Sequence, residues 1–262
     1  MKARAGALAL LGLLERPAPG GHGEERAFAT AALESWLGEC PSGPLSLGPD
    51  AKRVLRALAG GWSSRAIHAV ALGPANSAEL TLRIGAPRAR AVAGALRAMR
   101  EVGLVESVSV PAGRDIVVPT VWLRRAIGPL AAAARLEIAE PPRGAAPIDP
   151  QDVEAAFRLG LSLLLELDED FSHLCRLTVA MPERGVPLAG VAVQLELGEI
   201  VMVTADLRIH SETWASGSPL AWIETLIDPT DPKLAVSGNL EVLLALLHGL
   251  HEELFPMQIR GR

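Results

Sequence analysis

The sequence has 262 residues, with 25 lysines and arginines against 30 aspartates and glutamates, and 49% of its residues are hydrophobic. This composition excludes intrinsic disorder and collagen-like repeats, and it supplies apolar material for more than one core. Two cysteines are too few for a disulfide framework. The net charge of -5, taken over the whole chain, argues against a nucleic-acid-binding protein, because such proteins normally have a basic surface.

The charge is distributed unevenly along the chain. Residues 1–49 carry four basic and five acidic side chains, residues 50–140 carry thirteen and seven, and residues 141–262 carry eight and eighteen. The nets are therefore -1, +6 and -10. The basic and acidic parts meet at a run that contains Pro141, Pro142, Gly144, Pro147 and Pro150, which cannot continue a helix. We predict a domain boundary there, between two bodies with different partners.

The first residues and the cysteines indicate a cytoplasmic protein. Residues 1–14 combine Lys2 and Arg4 with an apolar run, but charged residues follow at once and the run is too short to span a bilayer. We predict a short helix there and no membrane association. Cys40 and Cys175 lie in different parts of the chain without the paired spacing of a zinc site, so we expect reduced thiols and no metal.

The basic part predicts a helix-turn-helix. Two short helices follow Asp50, and Asn76 with Glu79 forms a capping-box pattern that opens a third helix over 77–84. Gly85 ends it, and Pro87 is suited to the first position of a new helix, whose apolar side is Val92, Leu96 and Met99. Two helices joined by such a short turn are typical of a helix-turn-helix.

The opposite side of this last helix carries Arg88, Arg90, Arg97 and Arg100, whose guanidinium groups could reach phosphates or guanine edges in a major groove. Residues 104–110 and 115–119 predict two strands joined by a hairpin with Arg114 near its tip, which is typical of a wing. A helix over 121–140, with an alanine-rich stretch at 131–134, is predicted to follow. The alternative is that the arginines form an ordinary solvated helix face.

Three motifs strengthen this interpretation, namely Ala-Gly-Gly-Trp-Ser-Ser at 59–64, Ser-Ala-Glu-Leu at 77–80 and Met-Arg-Glu-Val-Gly-Leu-Val-Glu at 99–106. With the element order, they make residues 50–137 similar to the HxlR-type winged-helix regulators. The resemblance implies double-stranded DNA as the partner and a homodimer paired through terminal helices. It also implies groove contacts from Arg88, Arg90 and Arg97, a wing contact from Arg114 and a phosphate contact from Ser77. The turn Gly85-Ala86-Pro87 departs from the family in lacking a hydroxyl cap, and Ala89, Ala93 and Gly94 put few hydrogen-bonding groups on the groove side.

The N-terminal segment, residues 1–49, is a separate prediction. Residues 24–37 predict an amphipathic helix, which resembles the closing helix of a preceding winged-helix unit in longer relatives. Too few residues precede it for a whole domain, so we interpret the segment as the remnant of such a unit. The helix could pack on the predicted helix over 121–140 or on a second subunit, and the sequence leaves both open.

The acidic part predicts a layer of helices on a sheet. A helix is expected from Asp149 to about Glu166, followed by strands over 174–180, 189–197 and 200–207, with Gly198-Glu199 as a tight hairpin between the last two. A strand over 214–218, a helix over 219–227, a strand over 234–238 and a helix over 240–255 complete it. The predicted fold class is α+β, with an antiparallel sheet covered by helices on one side.

This order, with Trp-Ala-Ser-Gly-Ser at 214–218, Ala-Trp-Ile at 221–223 and Val-Ser-Gly-Asn at 236–239, resembles the sterol-carrier-protein-like lipid-binding domain over residues 150–256. The resemblance implies a hydrophobic small molecule bound between sheet and helices. The lining residues it suggests are Phe157, Leu161, Trp214, Trp222, Leu247 and His251. Each of these side chains could equally be a plain core residue.

No pattern in the sequence indicates catalysis. His248 and His251 lie one helical turn apart without a third ligand, and no phosphate loop or nucleophile elbow is present. We expect no enzyme activity and no cofactor. The sequence therefore predicts a DNA-binding transcriptional regulator that responds to a hydrophobic ligand. The alternative is a small-molecule carrier or sequestration protein whose winged helix serves as a dimerisation scaffold.

Overall fold

The computed structural model describes residues 3–15, 23–60, 62–85, 89–111, 114–139, 148–164, 167, 171–180 and 187–256. The chain forms two compact units, Lys2–Pro142 and Arg143–Arg262. The proline-rich run that the sequence predicts as a boundary lies for the most part outside the described residues. Both units mix helices with strands, so the α+β class is confirmed.

In the first unit, helices and strands follow in the order α1 (Ala3–Glu15), α2 (Gly23–Gly38), α3 (Pro49–Ala59), α4 (Ser63–Ala71), α5 (Ser77–Ile84), α6 (Ala89–Glu101), β1 (Val105–Val110), β2 (Arg114–Pro119), α7 (Val121–Arg125) and α8 (Ile127–Ala139). Strands β1 and β2 form an antiparallel hairpin with Val110 opposite Arg114. Val117 of β2 also donates its backbone N–H to Ala75 O at 2.8 Å, which joins the hairpin to the residues just before α5.

Helix α8 lies at the centre of this unit. Its residues from Ile127 to Ala134 that carry apolar side chains are buried around the whole helix, and both α1 and α2 pack against it. A Cβ placed on Gly6 of α1 would lie 3.1 Å from Leu130 Cδ2 and 3.2 Å from Leu130 O, so small residues let these two helices approach closely. The N-terminal helices therefore pack within their own chain, which is one of the two arrangements that the sequence left open.

The predicted single helix over 121–140 is wrong, because the structure has two helices separated at Ala126. Pro129 explains the break. Proline has no N–H to donate to the carbonyl four residues earlier, and its ring clashes with that carbonyl, here Arg125. Thr120 caps α7 by accepting the N–H of Leu123 at 3.2 Å, and the chain restarts as α8 in the following turn.

In the second unit the order is α9 (Pro150–Leu161), β3 (His173–Ala180), β4 (Pro187–Glu196), β5 (Glu199–Thr204), β6 (Thr213–Gly217), α10 (Pro219–Ile227), β7 (Ala235–Ser237) and α11 (Leu240–Leu254). The five strands form one sheet in the order β5-β4-β3-β6-β7. Helix α9 ends at Leu161, earlier than predicted. The N–H groups of Leu163 and Leu164 turn to carbonyls only three residues back, at 2.8 and 3.2 Å.

The predicted purely antiparallel sheet is also wrong, because β6 pairs parallel with β3. The β3-β4 and β4-β5 pairs are antiparallel as predicted, so β5 already runs in the direction of β3. Residues 205–212 then carry the chain back past β4 and β3 to β6 as a crossover. The tight turn between β4 and β5 is Leu197-Gly198 rather than Gly198-Glu199, since Glu196 pairs with Glu199 and both turn residues have positive φ.

Candidate functional site

The start of α5 is built as the sequence predicts. Asn76 Oδ1 accepts the N–H groups of Ala78 and Glu79, each at 3.0 Å, and Glu79 Oε2 accepts the N–H of Asn76 at 3.0 Å. Gly85 ends the helix in a left-handed conformation with φ of 61°. Ser77 is the first residue of α5 and is exposed, so its hydroxyl lies at the surface beside a helix N-terminus.

Helix α6 has one buried and one charged side. Val92, Leu96 and Met99 are buried, which confirms the predicted apolar side. Arg90, Arg97 and Arg100 are exposed, as are Ala93 and Gly94 between them. Within the described part of the chain, no carboxylate forms an ion pair with Arg90 or Arg97. Arg88, also predicted for this side, lies outside the described residues, as does Pro87.

The hairpin lies beside the same helices. Arg114 is exposed and begins β2, while residues 112 and 113 at the tip lie outside the described part. The next residue, Asp115, accepts a hydrogen bond of 2.6 Å from Ser109 Oγ across the hairpin. Because Val117 bonds to Ala75, the hairpin and the start of α5 are held together. Ser77 and Arg114 therefore lie on elements that this hydrogen bond joins.

Arg83 stabilises the fold of the first unit through hydrogen bonds to backbone carbonyls. Its Nη1 donates to Ala69 O at 3.0 Å and to Gly73 O at 2.7 Å, so it caps the C-terminal end of α4. This role was not predicted from the sequence. A glycine ten residues earlier, after a helix, was the available signal.

Four of the six predicted ligand residues form part of the packed core of the second unit. Phe157 and Trp222 are fully buried and meet edge to face, with ring centroids 4.7 Å apart. The indole N–H of Trp222 donates to Thr178 O at 2.8 Å, which fixes the ring against β3. Leu161 on α9 and Leu247 on α11 are also buried. These side chains occupy the layer between the sheet and its helices.

His251 lies half-buried on α11, with its Nδ1 3.0 Å from Leu226 O. A carbonyl oxygen can only accept, so Nδ1 of His251 is the donor in this hydrogen bond. The ring also contacts Phe255 at 5.2 Å between centroids. The histidine therefore joins α11 to the end of α10.

Trp214 is not brought together with the other five residues. It pairs with Arg176 across β6 and β3, whereas Thr213 and Ala215 pair with the buried Cys175 and Leu177. Paired residues share a face of the sheet and neighbours along a strand alternate, so Trp214 lies on the face opposite Ala215. Strand alternation was the sequence signal that could have separated it. Arg176 beside it was not predicted at all.

Both cysteines of the chain are buried. Cys40 and Cys175 are free thiols, and burial raises the pKa of Cys175 to about 12. No group of three or more potential metal ligands occurs within the described part of the chain. In the residues that the structure describes, no helix combines the length and apolarity needed to cross a bilayer.

Comparisons of the chain with protein-family models, with curated proteins and with solved structures found no match.

Proposed function

We propose that this protein is a DNA-binding transcriptional regulator whose first unit is a winged helix-turn-helix of the HxlR type. In this proposal α5 and α6 are the helix-turn-helix, α6 enters the major groove and the β1-β2 hairpin is the wing. One observation carries it: α6 buries Val92, Leu96 and Met99 and exposes Arg90, Arg97 and Arg100 on its other side. Exposed arginines on a groove-sized helix are suited to phosphates and guanine edges.

The charge of the first unit supports the same function. Residues 50–140 have a net charge of +6, against -10 for residues 141–262. Arg90, Gly94 and Arg97 follow each other along one line of α6, because steps of four and three residues keep to one side of a helix. Gly94 has no side chain and Ala93 has no hydrogen-bonding group, so phosphate contacts and DNA shape would dominate over direct base contacts.

We further propose that the second unit is a sterol-carrier-protein-like domain and holds a hydrophobic small molecule. The layer of α9, α10 and α11 beside the sheet supports this, as does the aromatic pair Phe157 and Trp222 inside it. If a ligand binds the DNA-bound protein more tightly than the DNA-free protein by some factor, it raises the affinity of the protein for DNA by the same factor. The proposal includes a homodimer, because helix-turn-helix proteins commonly bind paired half-sites.

The arginine face is tested by measuring how the full chain binds a fluorescent duplex at low salt. We expect Arg97→Ala to weaken binding by about 1.5–3 kcal/mol, in the range of a charge-assisted hydrogen bond. Arg208→Ala removes the same charge from an exposed residue that already pairs with Asp206 in the second unit, and is the matched control. Equal losses for both variants would mean that α6 is not the DNA-binding element.

A second candidate function is a carrier or sequestration protein in which the winged helix is only a dimerisation scaffold. The exposed Ala93 and Gly94 favour it, since they place no hydrogen-bonding side chain at the centre of the charged face of α6. This candidate predicts a dimer that binds a hydrophobic molecule but has no measurable affinity for duplex DNA at low salt.

A further inference from the structure

The sheet of the second unit has two different faces. Cys175, Leu177 and Val179 point to one face and are buried. Gly217 of β6 lies on the same face as Ala215, two residues earlier in the strand. A Cβ on Gly217 would lie 3.2 Å from Ala221 Cβ of α10, so the helices cover this face. Arg176 and Trp214 pair with each other on the opposite face, where both side chains are half-buried.

The guanidinium group of Arg176 is only partly hydrogen-bonded. Its Nη1 donates to Leu207 O of the crossover at 3.4 Å, which is a long hydrogen bond. Its Nε is buried and has no hydrogen-bond partner, and within the described residues no carboxylate pairs with the group. A buried donor without an acceptor is costly, and arginine presents Nε and Nη2 as a fork that matches a carboxylate.

The polar side chains around Arg176 are already engaged. Gln194 donates to Glu196 Oε1 at 2.8 Å, and Thr178 donates to Ala215 O at 3.2 Å. Asp206, in the same crossover as Leu207, accepts from Nε and Nη2 of Arg208, each at 2.8 Å. That pairing lowers the pKa of Asp206 to about 2, so the carboxylate stays ionised and bound to Arg208. The acceptor that Arg176 lacks is therefore not supplied by these neighbours.

The surroundings define what kind of acceptor suits the site. The residues next to Arg176 on this face include the apolar Leu174, Ala192 and Trp214, and the polar Thr178 and Gln194, whose side chains are already hydrogen-bonded. An indole beside a guanidinium is suited to a flat apolar body that ends in an anion. Residues 141–262 carry a net charge of -10, which repels polyanions such as nucleic acids far more than a molecule with one negative charge.

We propose that Arg176 and Trp214 form a binding site for a small aromatic carboxylate on the face of the sheet opposite the helices, beside the crossover that contains Leu207. The carboxylate accepts from the guanidinium of Arg176, and the aromatic body lies against Trp214. This site is distinct from the layer that contains Phe157 and Trp222, and it does not depend on DNA binding by the first unit.

The test compares two probes that differ in charge, 2-naphthoate and 2-naphthamide, by equilibrium titration of the full chain. We expect naphthoate to bind at least about tenfold more tightly than naphthamide, because only naphthoate offers an ionised acceptor. Arg176→Gln should weaken naphthoate binding by about tenfold and leave naphthamide binding unchanged. Trp214→Leu should weaken both probes, and Arg97→Gln, the charge-matched control, should weaken neither.

The comparison in the unaltered protein keeps the proposal testable even if Arg176→Gln does not fold. Equal affinities for the two probes, or no saturable naphthoate binding, would overturn the proposed site. Naphthoate binding that is unchanged in a folded Arg176→Gln protein would overturn it as well. Duplex DNA binding by Arg176→Gln should match that of the unaltered protein. Loss of the naphthoate site and loss of DNA binding are therefore separate outcomes.

Discussion

Two tryptophans show how single residues hold the first unit together. The indoles of Trp36 on α2 and Trp122 on α7 stack with centroids 4.7 Å apart and planes inclined by 17°. Each indole N–H donates to the backbone carbonyl of the other residue, at 2.7 and 2.8 Å. One turn further on, Arg125 forms an ion pair of 3.0 Å with Glu39. The hydrogen bonds satisfy two buried donors and join segments that are far apart in sequence.

The first prediction concerns this pair. Trp122→Phe keeps an aromatic ring but removes the N–H that donates to Trp36 O, and we expect a loss of about 1–3 kcal/mol in the free energy of unfolding. Trp62→Phe is the control, because Trp62 is half-buried and its ring contact is with the exposed Arg65. Denaturant titration of the first unit's transition gives both values. If the two variants lower the free energy of unfolding equally, the reciprocal hydrogen bonds between Trp36 and Trp122 do not contribute to stability.

Residue-scale prediction from the sequence succeeded where a local rule applies. The capping box of Asn76 and Glu79 and the stop at Gly85 need only neighbouring residues, and both are present. The contact between Trp36 and Trp122 joins residues 86 positions apart, so no local pattern could reveal it. The same holds for Arg176, whose unpaired Nε is a property of the folded surroundings.

At the scale of elements, α6 combines an apolar buried side with an exposed glycine, Gly94, that lowers the stability of the helix. Gly94 lies inside the helix and is exposed, and a Cβ added to it would have nothing within 4 Å. Glycine inside a helix costs about 0.5–1 kcal/mol relative to alanine. No packing contact among the described residues requires the glycine. A close approach of the helix backbone to DNA would require it.

The second prediction follows from that position. Gly94→Ala should raise the free energy of unfolding by about 0.5–1 kcal/mol and also weaken duplex DNA binding, because the added methyl group lies between Arg90 and Arg97. Gly12→Ala in α1 is the matched control, since Gly12 is also an exposed helical glycine with nothing near its Cβ position. It should stabilise the protein equally and leave DNA affinity unchanged. An unchanged DNA affinity in Gly94→Ala would show that α6 does not approach DNA closely.

Most elements could be predicted from periodicity and end signals, and the failures have local causes. Pro129 divides the predicted helix over 121–140 into α7 and α8. The early end of α9 depends on turn hydrogen bonds from Leu163 and Leu164 that periodicity does not reveal. Apolar residues continue past Leu161, and that run extended the predicted helix too far.

At the scale of the whole molecule, the division of charge predicted two bodies and the structure has two compact units. The order of the strands could not be predicted from the sequence, because the parallel pairing of β6 with β3 depends on where the crossover over 205–212 returns to the sheet. That pairing also decides which face carries Trp214, and it separates this residue from Phe157 and Trp222. The net charge of -5 therefore conceals a basic unit, proposed to bind DNA, and an acidic unit, proposed to bind small molecules.

The most direct test of DNA binding by α6 is the salt dependence of the affinity of the full chain for duplex DNA. We predict measurable binding at about 50 mM salt that weakens steeply as salt is raised, because bound phosphates release counterions. The double variant Arg90→Ala with Arg97→Ala should reduce the steepness of log K against log salt by roughly 2. No binding at low salt, or a slope that the double variant leaves unchanged, would contradict DNA binding through this helix.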